Sequence, residues 1–178
     1  PHPAEGEAVV SGTAHADNVA PSILGGFTIA TGDGVHSVDA DIPLVACLPE
    51  IAVSTRDARE VVPETATMEQ LVETVGNAAT LTMGMCQSDP ELVGRGMADP
   101  LVTPARAKLI TGYEAVSQAA REAGAVGVTV SGAGPSLLAV CRDDQRRGVA
   151  TAMLDAFADE GVEARAYQTR VSQGATLL

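Results

Sequence analysis

Two acidic residues and an amide near the start of the chain form the first group suited to chemistry. Asp17 and Asn18 stand at the head of an apolar run, and Glu7 lies a short polar stretch upstream. Carboxylate oxygens bind hard divalent cations, and phosphoryl transfer uses such a cation to neutralise phosphate charge. Acids this far apart in sequence are a weak signal, because Asp17 or Asn18 could instead cap a helix. Both interpretations stay open at this point.

Two arginines make up a second group. Arg59 follows the capped start of a predicted helix, and Arg106 lies in the first turn of another predicted helix. A positive charge in a first turn opposes the helix dipole, which indicates a purpose other than helix stability. Because arginine holds carboxylates and phosphates through paired hydrogen bonds, Arg59 and Arg106 could together clamp an acid-bearing substrate. A solvated helix face remains the alternative for both side chains.

A glycine-rich stretch at 131–136, SGAGPS, is the third group. Its two glycines are spaced as in a dinucleotide-binding loop, but the third glycine is absent and a strand follows instead of a helix. These two departures exclude a Rossmann site. The stretch is either a tight turn that needs positive φ angles or a loop whose backbone closely approaches a ligand.

The elements that must position these groups follow from hydrophobic periodicity, capping residues and turn signals. Thr103 is predicted as the N-cap of a helix that Gly124 ends, with Pro104 at its first position. The predicted helices cover 15–26, 55–62, 67–87, 89–97, 104–124 and 143–160, and the predicted strands cover 26–31, 35–39, 42–48, 126–131, 136–142 and 162–170.

From residue 42 onward, the order β, helices, β, β, α, β predicts an α+β fold of the ferredoxin-like, split βαβ kind. We expect an antiparallel sheet with helices packed on one face. Residues 1–40 contain a helix and a hairpin without a core of their own. Because such a hairpin is only marginally stable alone, 1–40 is predicted to be the tail of another domain and 41–178 a domain of its own.

Composition restricts the partners and the compartment. The 178 residues carry 23 acidic against 11 basic side chains, a net charge of −12 that repels nucleic acid and anionic membranes. No apolar stretch reaches the length that a membrane span needs. Cys47, Cys86 and Cys141 are widely spaced in apolar runs, so we expect buried free thiols and neither disulfides nor a zinc site. This pattern fits a reducing cytoplasm.

Taken together, the motifs resemble those of the homoserine kinases, a family of the GHMP small-molecule kinases. The resemblance runs from residue 5 to about residue 142, with the motifs in the family's order and approximate spacing. The motifs are GEAVVSGTAHADNVAPSILGGF, VSTRDAREVVP, DPLVTPARAKLITGY and GAVGVTVSGAGPSLLAV. The resemblance implies a GHMP kinase C-terminal domain at 41–178, preceded by the tail of the ATP-binding N-terminal domain at 1–40.

The resemblance also implies roles for individual residues. Glu7 matches the family's magnesium-binding glutamate. Asp17 and Asn18 match the pair that contacts the amino and hydroxyl ends of the amino acid, which makes them the catalytic candidates as well. Arg59 and Arg106 match the arginines that bind its carboxylate. The loop that supports the phosphate site is matched by Ser131, Gly132, Ala133 and Gly134.

The implied reaction transfers the γ-phosphoryl group of ATP, with Mg²⁺, to the hydroxyl of L-homoserine in threonine biosynthesis. The superfamily's nucleotide loop, of the Pro-x-x-x-Gly-Leu-Gly-Ser-Ser type, does not occur in this sequence. The resemblance therefore implies a C-terminal portion that depends on a missing N-terminal segment or a companion chain. Alone, it is expected to bind ATP poorly or not at all.

Three further hypotheses stay open. Ferredoxin-like sheets often serve as amino-acid sensors, so the chain could be a regulatory module that binds an amino acid. Another small-alcohol kinase of the GHMP superfamily is a second alternative, although a pair of arginines suits an amino-acid carboxylate better. A homodimer is also open, with the apolar hairpin 26–39 as its contact surface.

Overall fold

The computed structural model describes residues 16–176 and confirms the α+β class. Within that range the helices are α1 (Ala16–Leu24), α2 (Thr55–Glu60), α3 (Met68–Gln87), α4 (Pro90–Gly96), α5 (Val102–Ala107), α6 (Tyr113–Glu122) and α7 (Arg146–Asp159). The strands are β1 (Phe27–Thr31), β2 (Gly34–Val38), β3 (Pro43–Pro49), β4 (Ala125–Val130), β5 (Leu137–Cys141) and β6 (Ala164–Arg170).

Four strands form one antiparallel sheet in the order β4-β5-β3-β6. Strand β3 lies inside the sheet because it pairs with β5, from Leu44 opposite Val140 onward, and with β6 on its other edge. Its continuous apolar run is explained by this central position, since both of its faces are covered. The order is the one that a split βαβ arrangement produces, so the predicted ferredoxin-like fold is confirmed.

The expectation that helices cover one face of this sheet is wrong. Helices α6 and α7 pack on one face, while α4 packs on β4 and β5 from the other side and α3 packs against α4. Glycines make the second contact so close that side-chain patterns do not reveal it. A Cβ at Gly94 in α4 would lie 2.5 Å from the carbonyl oxygen of Val126, and one at Gly127 would lie 2.6 Å from the Cα of Gly94.

The helix predicted at 104–124 is two helices, and Thr103 is not its N-cap. Helix α5 ends at Ala107, and α6 begins after Gly112, which has a φ of 80°. A left-handed residue breaks a helix, and glycine adopts that conformation without steric penalty. Thr103 lies inside α5, and the carboxylate of Asp99 accepts the hydrogen bonds at the start of the helix. By contrast, Thr67 and Gln70 form a capping box at the start of α3.

Helix α1 and the β1–β2 hairpin form a separate unit. Its two strands make a sheet of their own, and α1 packs against β1. The predicted turn at 32–34 joins the two strands, whose register ends with Thr31 opposite Gly34. The end of the chain runs beside this unit: the amide of Gly26 donates to the carbonyl of Ser172 at 2.9 Å. A domain boundary at 40/41 stays a prediction, and the first fifteen residues lie outside the described range.

The larger core cluster lies between the sheet and helices α6 and α7. Phe157, Leu137 and Met153 are fully buried there, together with the thiols of Cys47 and Cys141. The smaller cluster under α4 consists of Ile42, Val93 and Val140. The expectation of three buried thiols is wrong for Cys86, which is free and exposed at the end of α3. None of the helices between residues 16 and 176 combines the length and apolar character needed to cross a bilayer.

Candidate functional site

Arg106 is the centre of the candidate site because it joins two separate segments of the chain. It lies in the last turn of α5 and is half-buried. Its Nε donates to the carbonyl oxygen of Ala58 at 3.1 Å, and its Nη1 donates to the carbonyl oxygen of Gly132 at 2.8 Å. One guanidinium therefore holds helix α2 and the glycine loop at 131–136 together.

Helix α2 brings Arg59 to the same place. Its start is fixed by Ser54, whose hydroxyl oxygen accepts from the amide of Asp57 at 3.0 Å, and by the fully buried Ala58. Arg59 directly follows Ala58 and is exposed. Arg106 thus contacts the residue that precedes Arg59 in the chain, and the side chain of Arg59 is exposed.

The argument that these arginines oppose a helix dipole is wrong. Arg59 and Arg106 both lie in the last turn of their helices, where a positive charge is favourable. The error follows from the predicted helix boundaries, because Arg106 falls in a first turn only if the helix starts at Pro104. The contact between Arg106 and α2 does not depend on that argument.

The loop at 131–136 is a tight turn with an accessible outer side. The amide of Ser131 donates to the carbonyl of Ser136 at 2.7 Å, and Gly134 donates to the carbonyl of Ser131 at 3.0 Å. Gly132 and Gly134 have φ angles of 57° and 85°, which explains the residue type at both positions. A Cβ at Gly132 would meet nothing within 4 Å, so the space beside this residue is open. Ala133 lies between them and is half-buried.

Asp17 and Asn18 lie in the first turn of α1, where both are exposed. The backbone carbonyl of Asn18 accepts from the hydroxyl of Ser22 at 2.8 Å. Their approach to the substrate stays a prediction. Glu7 lies outside the described residues, and its role as a magnesium ligand stays a prediction too. Between residues 16 and 176, no three His, Cys, Asp or Glu side chains are grouped so that they could hold a metal ion.

Asp99 is the residue of this region that sequence reasoning missed. One carboxylate oxygen accepts from the amides of Leu101 and Val102 at 2.9 and 3.0 Å. The other accepts from the amide of Thr103 at 2.7 Å and from its hydroxyl at 3.0 Å. Burial raises the pKa of Asp99, but these hydrogen bonds outweigh it and hold the pKa below its usual value. The signal was present as an Asp-Pro pair before a short helix.

The fold and the match to a family model define the class of protein. Residues 69–159 match the family model described as GHMP kinases C terminal, and the chain belongs to the GHMP kinases. The sequence resemblance to this superfamily is therefore confirmed.

Similar relatives of the chain include homoserine kinases. The homoserine kinase of Halorubrum lacusprofundi is 73% identical over 178 residues, which are 100% of this chain and 61% of that protein. The homoserine kinase of Haloarcula marismortui is 69% identical, over 98% of this chain and 60% of that protein. The crystal structure of homoserine kinase from Cytophaga hutchinsonii superposes with a TM-score of 0.88 at 35% identity, covering 96% of this chain and 56% of that one. The chain thus spans about three fifths of the length of the curated relatives it matches.

Proposed function

We propose that this chain is part of a homoserine kinase, which transfers the γ-phosphoryl group of ATP to the side-chain hydroxyl of L-homoserine. The observation that carries the proposal is the 73% identity, over the whole of this chain, to a curated homoserine kinase. The contact of Arg106 with the glycine loop and with the residue before Arg59 supports it. That contact brings a carboxylate-binding pair next to the loop that we assign to the phosphates.

The carboxylate of homoserine is bound by Arg59 and Arg106 in this proposal. A guanidinium has five N–H donors. Two of those in Arg106 serve protein carbonyls, and the remaining donors can serve the ligand. Arg59 supplies a second positive charge from the exposed side of α2. Because charge-assisted pairs are strong and directional, this arrangement selects a substrate with an acid group at one end.

The reacting hydroxyl is oriented by Asn18, and Asp17 holds the substrate ammonium or accepts the hydroxyl proton. The hydroxyl oxygen forms a bond to the γ-phosphorus, the bond from that phosphorus to the bridging oxygen breaks, and ADP leaves. The hydroxyl proton passes to Asp17, or to an oxygen of the transferred phosphoryl group where Asp17 holds the ammonium. Phosphoryl transfer through a loose transition state requires alignment and charge neutralisation more than a strong base. The loop of Ser131, Gly132, Ala133 and Gly134 supports the phosphate position. Glu7 is assigned to the magnesium ion in this proposal.

We further infer that the nucleotide loop belongs to the two fifths of the relatives' length that this chain does not span. Turnover then requires that segment, on the same chain or a companion chain. Residues 1–40 are assigned to the ATP-binding domain and 41–178 to the C-terminal domain. The three free thiols support a reducing cytoplasm as the site of action.

Calorimetry with homoserine tests the site on this chain. The double variant Arg59→Ala with Arg106→Ala should weaken homoserine binding by about 100-fold or more, since each charge-assisted contact contributes about 1.5–3 kcal/mol. Arg56→Ala is the matched control, because Arg56 is exposed on the same helix and pairs with Glu60. Unchanged affinity in the double variant would overturn the assignment and favour a regulatory module.

Turnover tests the reaction itself. We expect homoserine-dependent release of ADP when this chain is joined to the segment of the Halorubrum relative that it does not span. Mevalonate serves as the matched control substrate, because it is also a small alcohol with a carboxylate. Turnover with mevalonate in place of homoserine would show a different GHMP kinase.

A further inference from the structure

Helix α5 carries Arg106 but has only six residues, too few to be stable in isolation. Its N-cap residue, Leu101, offers no side-chain hydrogen bond to the first turn. The direction of the Arg106 guanidinium therefore depends on whatever fixes the start of α5 from outside the helix.

Asp99 supplies that anchor with both carboxylate oxygens. Three consecutive amides, those of Leu101, Val102 and Thr103, donate to it at 2.7–3.0 Å. These are the donors that a helix start otherwise leaves without a partner. The carboxylate thereby fixes the rotation of the first turn of α5 about its axis.

A second link joins the same point to the sheet. The Thr103 hydroxyl donates its one hydrogen to Asp99, since a carboxylate only accepts. The Thr129 hydroxyl, 3.0 Å away, therefore donates to Thr103. Thr129 lies on β4, two residues before Ser131, so the start of α5 is tied to the strand that leads into the glycine loop.

We propose that Asp99 is a positioning residue for Arg106: through Thr103 and the first turn of α5, it holds the guanidinium between Ala58 and Gly132. Asp99 itself does not touch the substrate. This inference rests on the proposed function only for its effect on homoserine binding. The position of Arg106 is measurable without any ligand.

The test compares two aspartates that cap short helices. Asp89 caps α4, and both of its amide contacts, from Glu91 and Leu92, go to one oxygen. Asparagine keeps that oxygen, so Asp89→Asn is the matched control. Asp99 uses both oxygens, so Asp99→Asn replaces one acceptor with an NH₂ group that faces the Thr103 amide. Only the second substitution should disturb α5.

The readout is the Nε–H signal of Arg106 in the ¹⁵N-labelled chain, assigned by its loss in Arg106→Lys. In the wild type, the bond to Ala58 slows exchange of this hydrogen with solvent. Asp99→Asn should raise the exchange rate of this hydrogen about tenfold. This ratio corresponds to the free energy that is lost with a helix cap. Asp89→Asn, the same chemical change at the start of α4, should leave the exchange rate unchanged. An increase in both variants would indicate a general loss of stability instead.

A milder pair of variants covers the case in which Asp99→Asn does not fold. Thr103→Val removes only the hydroxyl links and should raise the exchange rate about threefold, while Thr103→Ser should restore the wild-type rate. If the Arg106 signal is the same in Asp99→Asn and Thr103→Val as in the wild type, the proposal is overturned.

Homoserine titration of the same proteins separates this inference from the proposed function. We expect about tenfold weaker binding for Asp99→Asn and no change for Asp89→Asn. If the wild type does not bind homoserine but Asp99→Asn still changes the Arg106 signal, the proposed site fails and the positioning role stands. If the wild type binds and the Arg106 signal is unaffected, the positioning role fails and the proposed site stands.

Discussion

The two faces of the four-stranded sheet are held by different means. Under α6 and α7, large side chains such as Phe157, Leu137 and Met153 fill the space and are fully buried. Under α4, few side chains are buried, and Gly94 and Gly127 bring the backbones together instead. The first face depends on side-chain volume and fails when a cavity is made. The second depends on close approach and fails when an atom is added.

Helix α3 extends the difference to the outside of the molecule. It packs mainly against α4, and one side of it is exposed. That side is apolar, and Met68, Val72 and Val75 are 72%, 65% and 61% exposed. Exposed apolar side chains therefore lie on α3, which packs on the side of the smaller core cluster.

The largest expected effect is on the side-chain face. Phe157→Ala should lower the free energy of unfolding by about 3–5 kcal/mol, because it leaves a cavity among fully buried neighbours. Urea denaturation measures this loss. Tyr167→Ala is the control, since this aromatic side chain is 52% exposed and its removal should cost less than about 1 kcal/mol. Equal losses in the two variants would contradict the comparison.

The second-largest effect is expected on the same face, where alkaline pH should lower the free energy of unfolding. Burial raises the pKa of the Cys47 thiol to about 11, whereas the unfolded thiol ionises near pH 9. Because the folded pKa is the higher one, this contribution is complete below about pH 9 and is lost as the pH rises towards 11. Unfolding free energies at the two ends should differ by roughly 2–3 kcal/mol from this thiol.

Two cysteine variants assign that loss. Burial also raises the pKa of Cys141, so Cys47→Ala should remove the larger part of the fall and not all of it. Cys86→Ala should leave the fall intact, because this thiol is exposed on the opposite side of the sheet. A fall that disappears only in Cys86→Ala would show that the exposed thiol is responsible.

The glycine face should respond to a single added methyl group. Gly94→Ala places a Cβ against backbone atoms of Val126 and should cost roughly 1–3 kcal/mol. Gly148→Ala on α7 is the matched control, because a Cβ there meets nothing within 4 Å. It should be neutral or stabilise by about 0.5–1 kcal/mol. Thermal unfolding measures the change in stability of the two variants. Gly94→Ala should lower the melting temperature, and Gly148→Ala should leave it unchanged or raise it.

The smallest effect is expected on the outer side of α3. Val72→Gln should change the free energy of unfolding by less than about 0.5 kcal/mol, since the side chain is 65% exposed. Chemical denaturation at several protein concentrations measures it. A loss of more than 1 kcal/mol that grows with concentration would show that this side chain is covered in solution.

The strands of both sheets were predictable because each has a distinctive local sequence. The run around β3 is continuously apolar, and the turns before β2 and after β4 carry glycine signals. The helix coverage was not predictable in the same way. Gly94 looks like a weakness in a helix until the facing residue, Gly127, is known, and the two lie more than thirty positions apart.

The sequence indicates the candidate residues of the site but not the contacts that join them. Arg59, Arg106 and the loop at 131–136 were found from residue types and the family resemblance. The bond from Arg106 to Gly132 spans 26 positions, and only the tertiary structure shows it. Asp99 was missed because Thr103-Pro104 resembles a helix start, and a carboxylate four residues earlier competes for the same amides.

The break at Gly112 separates helix α5, which carries Arg106, from helix α6, which packs in the core. Helix α6 is tied to the large core through the fully buried Val116 and Ala120, whereas α5 ends in the arginine of the site. In one continuous helix, a change in the direction of Arg106 would also shift residues that hold the core together. The left-handed Gly112 between the two helices lets α5 change direction while the axis of α6 stays in place.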